Sequence, residues 1–403
     1  MKTKFAAGLF GILFTGAASA QGLYYVGSEA QETIPLKWVV GASAFYDDNV
    51  NPGTVTDGSE SFGINPYVGL SFVNITPQTT WDVYARLGLI YYFDAPEGVD
   101  STNSQSRAGV NLTHRVSERL RFSSRNFVSY ELNPDYSYGV STSASTGEYL
   151  YWQSDNSVGF RWTERLGTYT GFKLTGTSYD SLSSSDVFTW ELYNQFRYQL
   201  GPQTVLTGDY RYAQNSASGD AVDSSDQYIL AGVEHRFSPN TIGIVRAGVQ
   251  LHEIDGGDSY NSPYLELAMN SQVSQQFSVR GFARYGIESN DTVQVISGQL
   301  AIFNDVQTLR LGVSAEYVVS PMFSIFGGVD YIPTTYAEGQ KIATSASVQD
   351  ADNDLLNAYI GVSAKFNDYL TGTLSYNFTD ASSDIENQDY TRNRINLGVS
   401  AEF

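Results

Sequence analysis

The chain has 403 residues, 41% hydrophobic and 14% aromatic, with 29 Tyr, 22 Phe, 37 Gly and no Cys; 23 basic against 43 acidic residues give a formal net charge of −20. A mean hydropathy of −0.24, with no apolar run of about 18 residues, excludes a helical membrane protein. The acidic balance argues against a nucleic-acid partner, whose phosphates need a basic surface, and the missing cysteines remove disulfide scaffolds, thiolate zinc sites and thiol nucleophiles.

Residues 1–20 read as an export leader. Lys2 and Lys4 give a basic start, Phe5 to Ala17 an apolar core too short to span a bilayer, and Ala18-Ser19-Ala20 a cleavage site before Gln21. No Cys follows the cut, so no lipid anchor is expected, and loss of the two lysines would take the charge from −20 to −22. Residues 21–34 then form a short periplasmic segment and 35–403 one domain.

From there a single unit repeats. Segments alternating apolar and polar residues are joined by short connections at Thr76-Pro77-Gln78, Ser117-Glu118-Arg119, Glu164-Arg165-Leu166, Gly201-Pro202-Gln203, Ser238-Pro239-Asn240, Ser274-Gln275-Gln276, Ser320-Pro321-Met322 and Asn367-Asp368-Tyr369. Between these lie mostly longer connections rich in Asp, Ser, Gly and Asn. Short and long connections at opposite ends of an antiparallel meander are expected of an outer-membrane barrel.

The first strand sets Leu36, Trp38, Val40, Ala42, Ala44 and Tyr46 against Lys37, Gly41, Ser43 and Asp47. The third sets Trp81, Val83, Ala85, Leu87, Leu89, Tyr91 and Phe93 against Asp82, Tyr84, Arg86 and Gly88, and a later one near 308–319 sets Leu309, Leu311, Val313, Ala315, Tyr317 and Val319 against Arg310, Gly312, Ser314 and Glu316. By this parity sixteen of the seventeen Arg fall on the polar face and Arg165 in a short turn. A charge facing lipid at mid-bilayer costs roughly 2–4 kcal/mol, which enforces such sorting. The chain ends on an alternating strand, Ile395, Leu397, Val399, Ala401 and Phe403. A carboxy-terminal aromatic in that setting is similar to the signal by which the barrel assembly machinery recognises its substrates. The fold class is therefore all-β: a transmembrane antiparallel up-and-down barrel of eighteen strands. It would have twenty if the apolar stretch 290–307, with Val293, Val295, Ile296, Leu300, Ile302 and Phe303, were an extra hairpin rather than a segment folded into the lumen or over the rim.

The opening Trp38-Val39-Val40-Gly41-Ala42-Ser43-Ala44-Phe45-Tyr46-Asp47-Asp48-Asn49-Val50, with its aromatic-Asp-x-Asn entry to the first outer loop, resembles the bacterial β-barrel porin 2 family. The Ser-Pro turns at Phe237-Ser238-Pro239 and Val319-Ser320-Pro321 are similar too. The resemblance covers nearly the whole mature chain. It implies an outer-membrane porin-like protein, with exopolysaccharide export among its relatives, and brings no catalytic residues.

Candidate functional residues sort by location. The proposed outer loops hold twenty-nine of the 43 acids, from Asp47, Asp48, Asp57 and Glu60 to Asp384, Glu386 and Asp389, including Glu131, Asp226 and Glu288, against one base, Lys341. Such a mouth would be soluble, would attract cations, or would bridge to lipopolysaccharide through divalent ions. Asp350, Asp352 and Asp354 have the spacing of the first half of a calcium loop but lack its Gly and distal Glu, leaving a solvated loop tip as the alternative. On the lumen side, Arg86, Arg107, Arg115, Arg119, Arg121 and Arg125 cluster on strands three to five, and Glu191, Asp209, Glu234, Glu266 and Glu316 on later strands. That segregation would set a transverse field for ion selection; alternatively, the arginines pair with inward acids such as Asp82, Asp155 and Glu131 and brace the wall. Inward Tyr67, Tyr84, Tyr151, Tyr193 and Tyr359 would stack on sugars or fill the lumen.

Of three His, only His252, beside Glu253 and Asp255, offers a place for a catalytic dyad, and no nucleophile motif accompanies it. Residues 21–34 are too few for a plug domain. The sequence thus points to a bacterial outer-membrane channel for passive diffusion of small hydrophilic solutes or ions, not an enzyme and without a cofactor. The alternative is an accessory barrel for exopolysaccharide secretion or surface attachment. Partners would be outer-membrane lipid and lipopolysaccharide, the assembly machinery, solutes or polysaccharide, and further copies in a homo-oligomer.

Overall fold

The computed structural model describes residues 33–50, 59–96, 99–132, 148–180, 186–219, 221–289, 292–296, 298–385 and 388–403, with the backbone of 18–21 and 24–27. The expected leader core, residues 5–17, lies outside them. Ala18–Gln21 pairs with Tyr24–Gly27 in a small ladder separate from the rest.

Eighteen strands build one closed antiparallel barrel. They are β1 (Ile34–Asp47), β2 (Ser61–Ile75), β3 (Thr79–Tyr92), β4 (Thr102–Arg115), β5 (Leu120–Glu131) and β6 (Tyr149–Arg161). Next come β7 (Leu166–Tyr179), β8 (Val187–Gln199), β9 (Thr204–Ala217), β10 (Ser224–Ser238), β11 (Thr241–Ile254) and β12 (Ser259–Gln272). The last are β13 (Phe277–Ile287), β14 (Gln299–Ser320), β15 (Phe323–Lys341), β16 (Ala351–Lys365), β17 (Leu370–Ser383) and β18 (Tyr390–Glu402). Each pairs with its sequence neighbours, and β18 returns to β1.

The short turns form for a local reason. In seven of the eight, a Ser, Thr or Asn side chain accepts the backbone N–H two or three residues on: Thr76, Ser117, Thr163, Ser238, Ser274, Ser320 and Asn367. That side-chain oxygen mimics a backbone acceptor and tightens the reversal. Pro77, Pro239 and Pro321 follow it, supplying the fixed φ of the next turn residue.

The apolar parity faces outward. Leu87 is 59% exposed and Val313 57%, with Trp38, Val40, Leu89, Ile360, Leu397 and Val399 in the same belt. The opposite parity is the lumen, and apolar clusters pack toward its outer end. Phe45, Val50, Ile90 and Tyr92 form one; Ala301, Phe303, Val306, Tyr336, Ala351 and Ile385 form another. A closed barrel bonds all its ladder groups internally and shows lipid an apolar belt, so this is an integral protein of the bacterial outer membrane.

The stretch 290–307 adds no barrel strand. Val293–Ile296 pairs only with the start of β14, and β14 and β15 run on together beyond the other strands. In β15 the buried parity switches from Ile332, Thr334 and Tyr336 to Gly339 around Glu338, whose φ is 54°. A left-handed residue there kinks the extended hairpin so that Phe303 turns inward over the rim.

With this orientation, Val313→Arg should destabilise the barrel by roughly 2–4 kcal/mol and reduce the folded fraction on a heat-modifiability gel. Ser314→Arg, one residue along but facing the lumen, should fold like the parent; equal effects would invert the assignment.

Candidate functional site

The inward faces carry a wall of paired charges. On β4 to β6, Arg107 forks onto Glu131 at 2.8 and 2.7 Å, and Arg125 donates to Asp155 at 2.5 Å. The other Asp155 oxygen accepts the hydroxyl of Tyr193, two strands away on β8, at 2.7 Å. The ring reaches it by lying across Gly171 of β7, where a Cβ would overlap it. Other tyrosines use the same slot: Tyr67 over Gly41, Tyr84 over Gly109, Tyr359 over Gly328. Glycine allows the rings to lie flat on the wall instead of projecting across the lumen.

Between β8 and β12 the network thickens. Arg197 forks onto Glu234 at 2.7 and 2.5 Å, with both side chains 0% exposed. Arg197 also donates to Gln195, which donates to Asp209 at 2.6 Å. Arg246 stands between Glu234 (3.3 Å), Glu266 (3.2 Å) and Asp209 (3.8 Å). Arg211 forks onto Glu266 at 2.8 and 3.1 Å, and Tyr264 donates to the same carboxylate at 2.8 Å. Near the rim, Glu288 accepts from Arg284 (2.5 Å) and from Arg310 (2.8 and 2.7 Å). Burial alone would raise the Glu288 carboxyl, but Arg310 and Arg284 hold it down to about 2. A lowered carboxyl gives up its stabilisation only as pH falls toward that value, so this latch persists in mild acid.

The residues singled out from sequence are spread among several settings. Arg86 lies over the Tyr67 ring at 3.7 Å, and Arg121 is buried at 8% exposure. Glu191 stands opposite Lys173 in register, and Glu316 is exposed on the lumen face between Ser278 and Phe326. Arg115 is exposed at the end of β4, and Arg119 belongs to the short turn, not to an inward strand face, because the turn takes four residues, 116–119. Arg107 and Arg125 on one side, and Asp209, Glu234 and Glu266 on the other, each meet opposite charges close by. These five are locally compensated.

Two acidic assignments are corrected. Asp47, Glu131 and Asp226 belong to the lumen wall and not to the loops, whereas Glu288 follows the end of β13: Asp47 accepts Arg392 at 2.9 and 2.5 Å, and Asp226 accepts His252 at 2.8 Å and Gln250 at 2.8 Å. Among the other loop acids, Asp57, Glu97, Asp135, Asp220, Asp291 and Glu386 lie outside the described residues. Asp350 lies exposed in the connection before β16, and Asp352 and Asp354 follow on the strand, so the three do not share one loop tip. Asp352 and Asp354 are on β16, outward, held by Thr335 (2.8 Å) and Tyr331 (3.2 Å), and an extended strand cannot wrap carboxylates around one ion. Among the described residues no group of three acids or histidines converges on a metal position.

His252, two residues from the outer end of β11 and beside Glu253, is inward and buried at 4% exposure. Ser224 and Ser289 lie nearby, bonded to Asn215 at 3.2 and 2.9 Å, but neither bonds His252. The group can orient Asp226. Phe403 closes the seam: its N–H bonds the Trp38 carbonyl at 2.8 Å and its carbonyl accepts Trp38 N–H at 3.0 Å. Arg197, Arg211, Arg246 and Arg310 went unnamed in the sequence as site residues, although their inward parity was legible. The missing signal was their partners, which for Arg197 and Arg211 lie on non-adjacent strands.

No family model and no curated protein matches the chain. Solved structures do. Acinetobacter baumannii OccAB4 aligns with a TM-score of 0.44 and 12% identity over 93% of this chain and 100% of its own. A BenF-like porin from Pseudomonas fluorescens Pf-5 gives 0.45 and 10%, over 93% and 100%. The siderophore receptor PirA from Pseudomonas aeruginosa gives 0.44 and 8%, over 94% and 82%. Porin and receptor score alike, so the likeness does not choose between their activities.

Removing one partner of a buried pair leaves a bare charge. Glu234→Leu should therefore cost about 3–5 kcal/mol, whereas Arg197→Met with Glu234→Leu should recover most of it, read by guanidinium unfolding in micelles. Gly171→Val should cost about 1–3 kcal/mol by overpacking and shift Tyr193 fluorescence. An unperturbed Tyr193 would mean the slot is not filled as described.

Proposed function

We propose that the mature chain, after loss of residues 1–20, is a passive outer-membrane channel for small hydrophilic solutes or ions. The supporting observation is the lumen wall itself: arginines and carboxylates of both signs, buried from lipid and bonded to one another, around a barrel whose outside is apolar. A purely structural barrel could fill its interior with apolar side chains at lower desolvation cost; a hydrated passage needs polar walls. Fixed charges of both signs stabilise passing ions of either sign, and the solute range then depends on which pairs open toward the lumen. Phe403 is the insertion signal in this reading, and lipopolysaccharide surrounds the outer rim.

The purified protein should give ohmic steps in planar bilayers. Asp155→Asn removes the negative charge beside Arg125 and should move the reversal potential in a salt gradient toward anions; Arg125→Gln should move it toward cations. Absence of channels overturns the proposal. If both variants conduct with unchanged selectivity, this part of the wall is not at the constriction.

A further inference from the structure

On β5 and β6 the outward parity breaks the apolar rule at mid-height. Ser124 and Asn126 of β5 face lipid beside Asn156 and Ser154 of β6, paired in register. Their side chains form a closed ring of four hydrogen bonds. Ser124 donates to Asn156 Oδ1 at 2.7 Å, Asn156 to Ser154 at 3.0 Å, Ser154 to Asn126 Oδ1 at 2.7 Å, and Asn126 to Ser124 at 3.0 Å. Two strands further, Asn194 of β8 donates to Thr170 of β7 at 2.6 Å, and its Oδ1 has no partner. Six residues above its short turn, Asn126 stands about 15 Å up the wall at a ~3.4 Å rise and ~40° tilt. That is the hydrocarbon region, out of reach of headgroups. Elsewhere at this height the described belt carries residues such as Leu87, Val313, Ile360 and Leu397.

The ring does not exhaust its members. An amide has two N–H donors and a carbonyl with two lone pairs, so Asn126 and Asn156 each keep one donor and one acceptor, both turned to the outside. Acyl chains cannot use them, and unpaired polar groups in hydrocarbon are costly. A complement must offer donors and acceptors in equal number, carry no charge, and do so at this depth. A second copy of the chain meets all three conditions: it is inserted in the same orientation and brings the same amides to the same height.

The geometry points to this face, β5 to β8, as an isologous interface between two barrels related by an axis along the membrane normal. It is independent of whether the lumen conducts. The cysteine-free chain allows a direct test in native outer membranes. Val128→Cys and Val158→Cys flank the ring on the same face without touching its hydrogen bonds, and Leu397→Cys lies on β18 as the control. Copper-phenanthroline oxidation should give a band of twice the chain mass with at least one of the first two and none with Leu397→Cys. A combined variant, Ser124→Ala, Asn126→Leu, Ser154→Ala and Asn156→Leu, should lower the dimer share in light scattering at least tenfold while retaining heat-modifiable mobility. If that variant does not insert, the cross-linking decides alone. The interface is overturned by cross-linking no greater than that of the control, by an adduct with a different protein, or by an undiminished dimer in the folded combined variant.

Discussion

Hydrocarbon offers no water to an unpaired backbone group, so a sheet can cross a bilayer only if its first strand finds its last. In this chain that closure is β1 against β18, in register from Asp47↔Arg394 to Val39↔Glu402, and Phe403 continues it with reciprocal bonds to Trp38. Side chains clasp both ends of the seam. Arg392 and Arg394 converge on Asp47 at one end, and Lys37 meets Glu402 at the other. An antiparallel ring that closes antiparallel must hold an even number of strands. Once it is closed, each side chain has one of two destinations, lipid or lumen.

The lumen then inherits all the charge that the outside cannot hold. Its side chains are long and crowded, and the solution adopted is to pair across skipped strands: Arg197 of β8 with Glu234 of β10, Arg211 of β9 with Glu266 of β12, Tyr193 of β8 with Asp155 of β6. Such chords need something small beneath them. Gly171 serves Tyr193, and Gly232 leaves space beside Arg246, whose Cγ would stand 2.8 Å from a Cβ there. The wall is therefore polar and tightly tied, which stiffens the barrel and fixes where each charge sits.

Much of the fold was legible because period-two alternation and turn chemistry are local. Thr76, Ser238 and Ser320 with their following prolines marked the reversals, and Leu309 to Val319 marked a lipid face, before any strand had a partner. What failed was non-local or depended on where a strand stops. Arg119 counts by parity with the inward arginines of strands three to five but precedes the strand that begins at Leu120, and Asp47 and Glu131 read as loop acids because the strands run further up than their apolar residues suggest. The 290–307 stretch read as a barrel hairpin or a folded segment; its apolar residues serve an extended rim hairpin whose kink at Glu338 has no sequence mark. Arg107–Glu131 and Arg125–Asp155 join adjacent strands and fall within the bracing alternative, whereas Arg197–Glu234 and Arg211–Glu266 skip strands and depend on register in more than one ladder.

The seam has a kinetic side as well. Seventeen of the eighteen ladders join strands adjacent in the sequence, whereas the clasp of Asp47 with Arg392 spans 345 residues. Loop-closure entropy rises only with the logarithm of length, but it must be met before the rewarding contacts exist, and that separation slows the step. Hairpins can therefore zip early, one against the next, into a curved open sheet with two bare edges. Until the last strand arrives, those edges invite pairing with other chains. The chain's final residues thus govern both when the barrel becomes a barrel and how long it is exposed to misassembly.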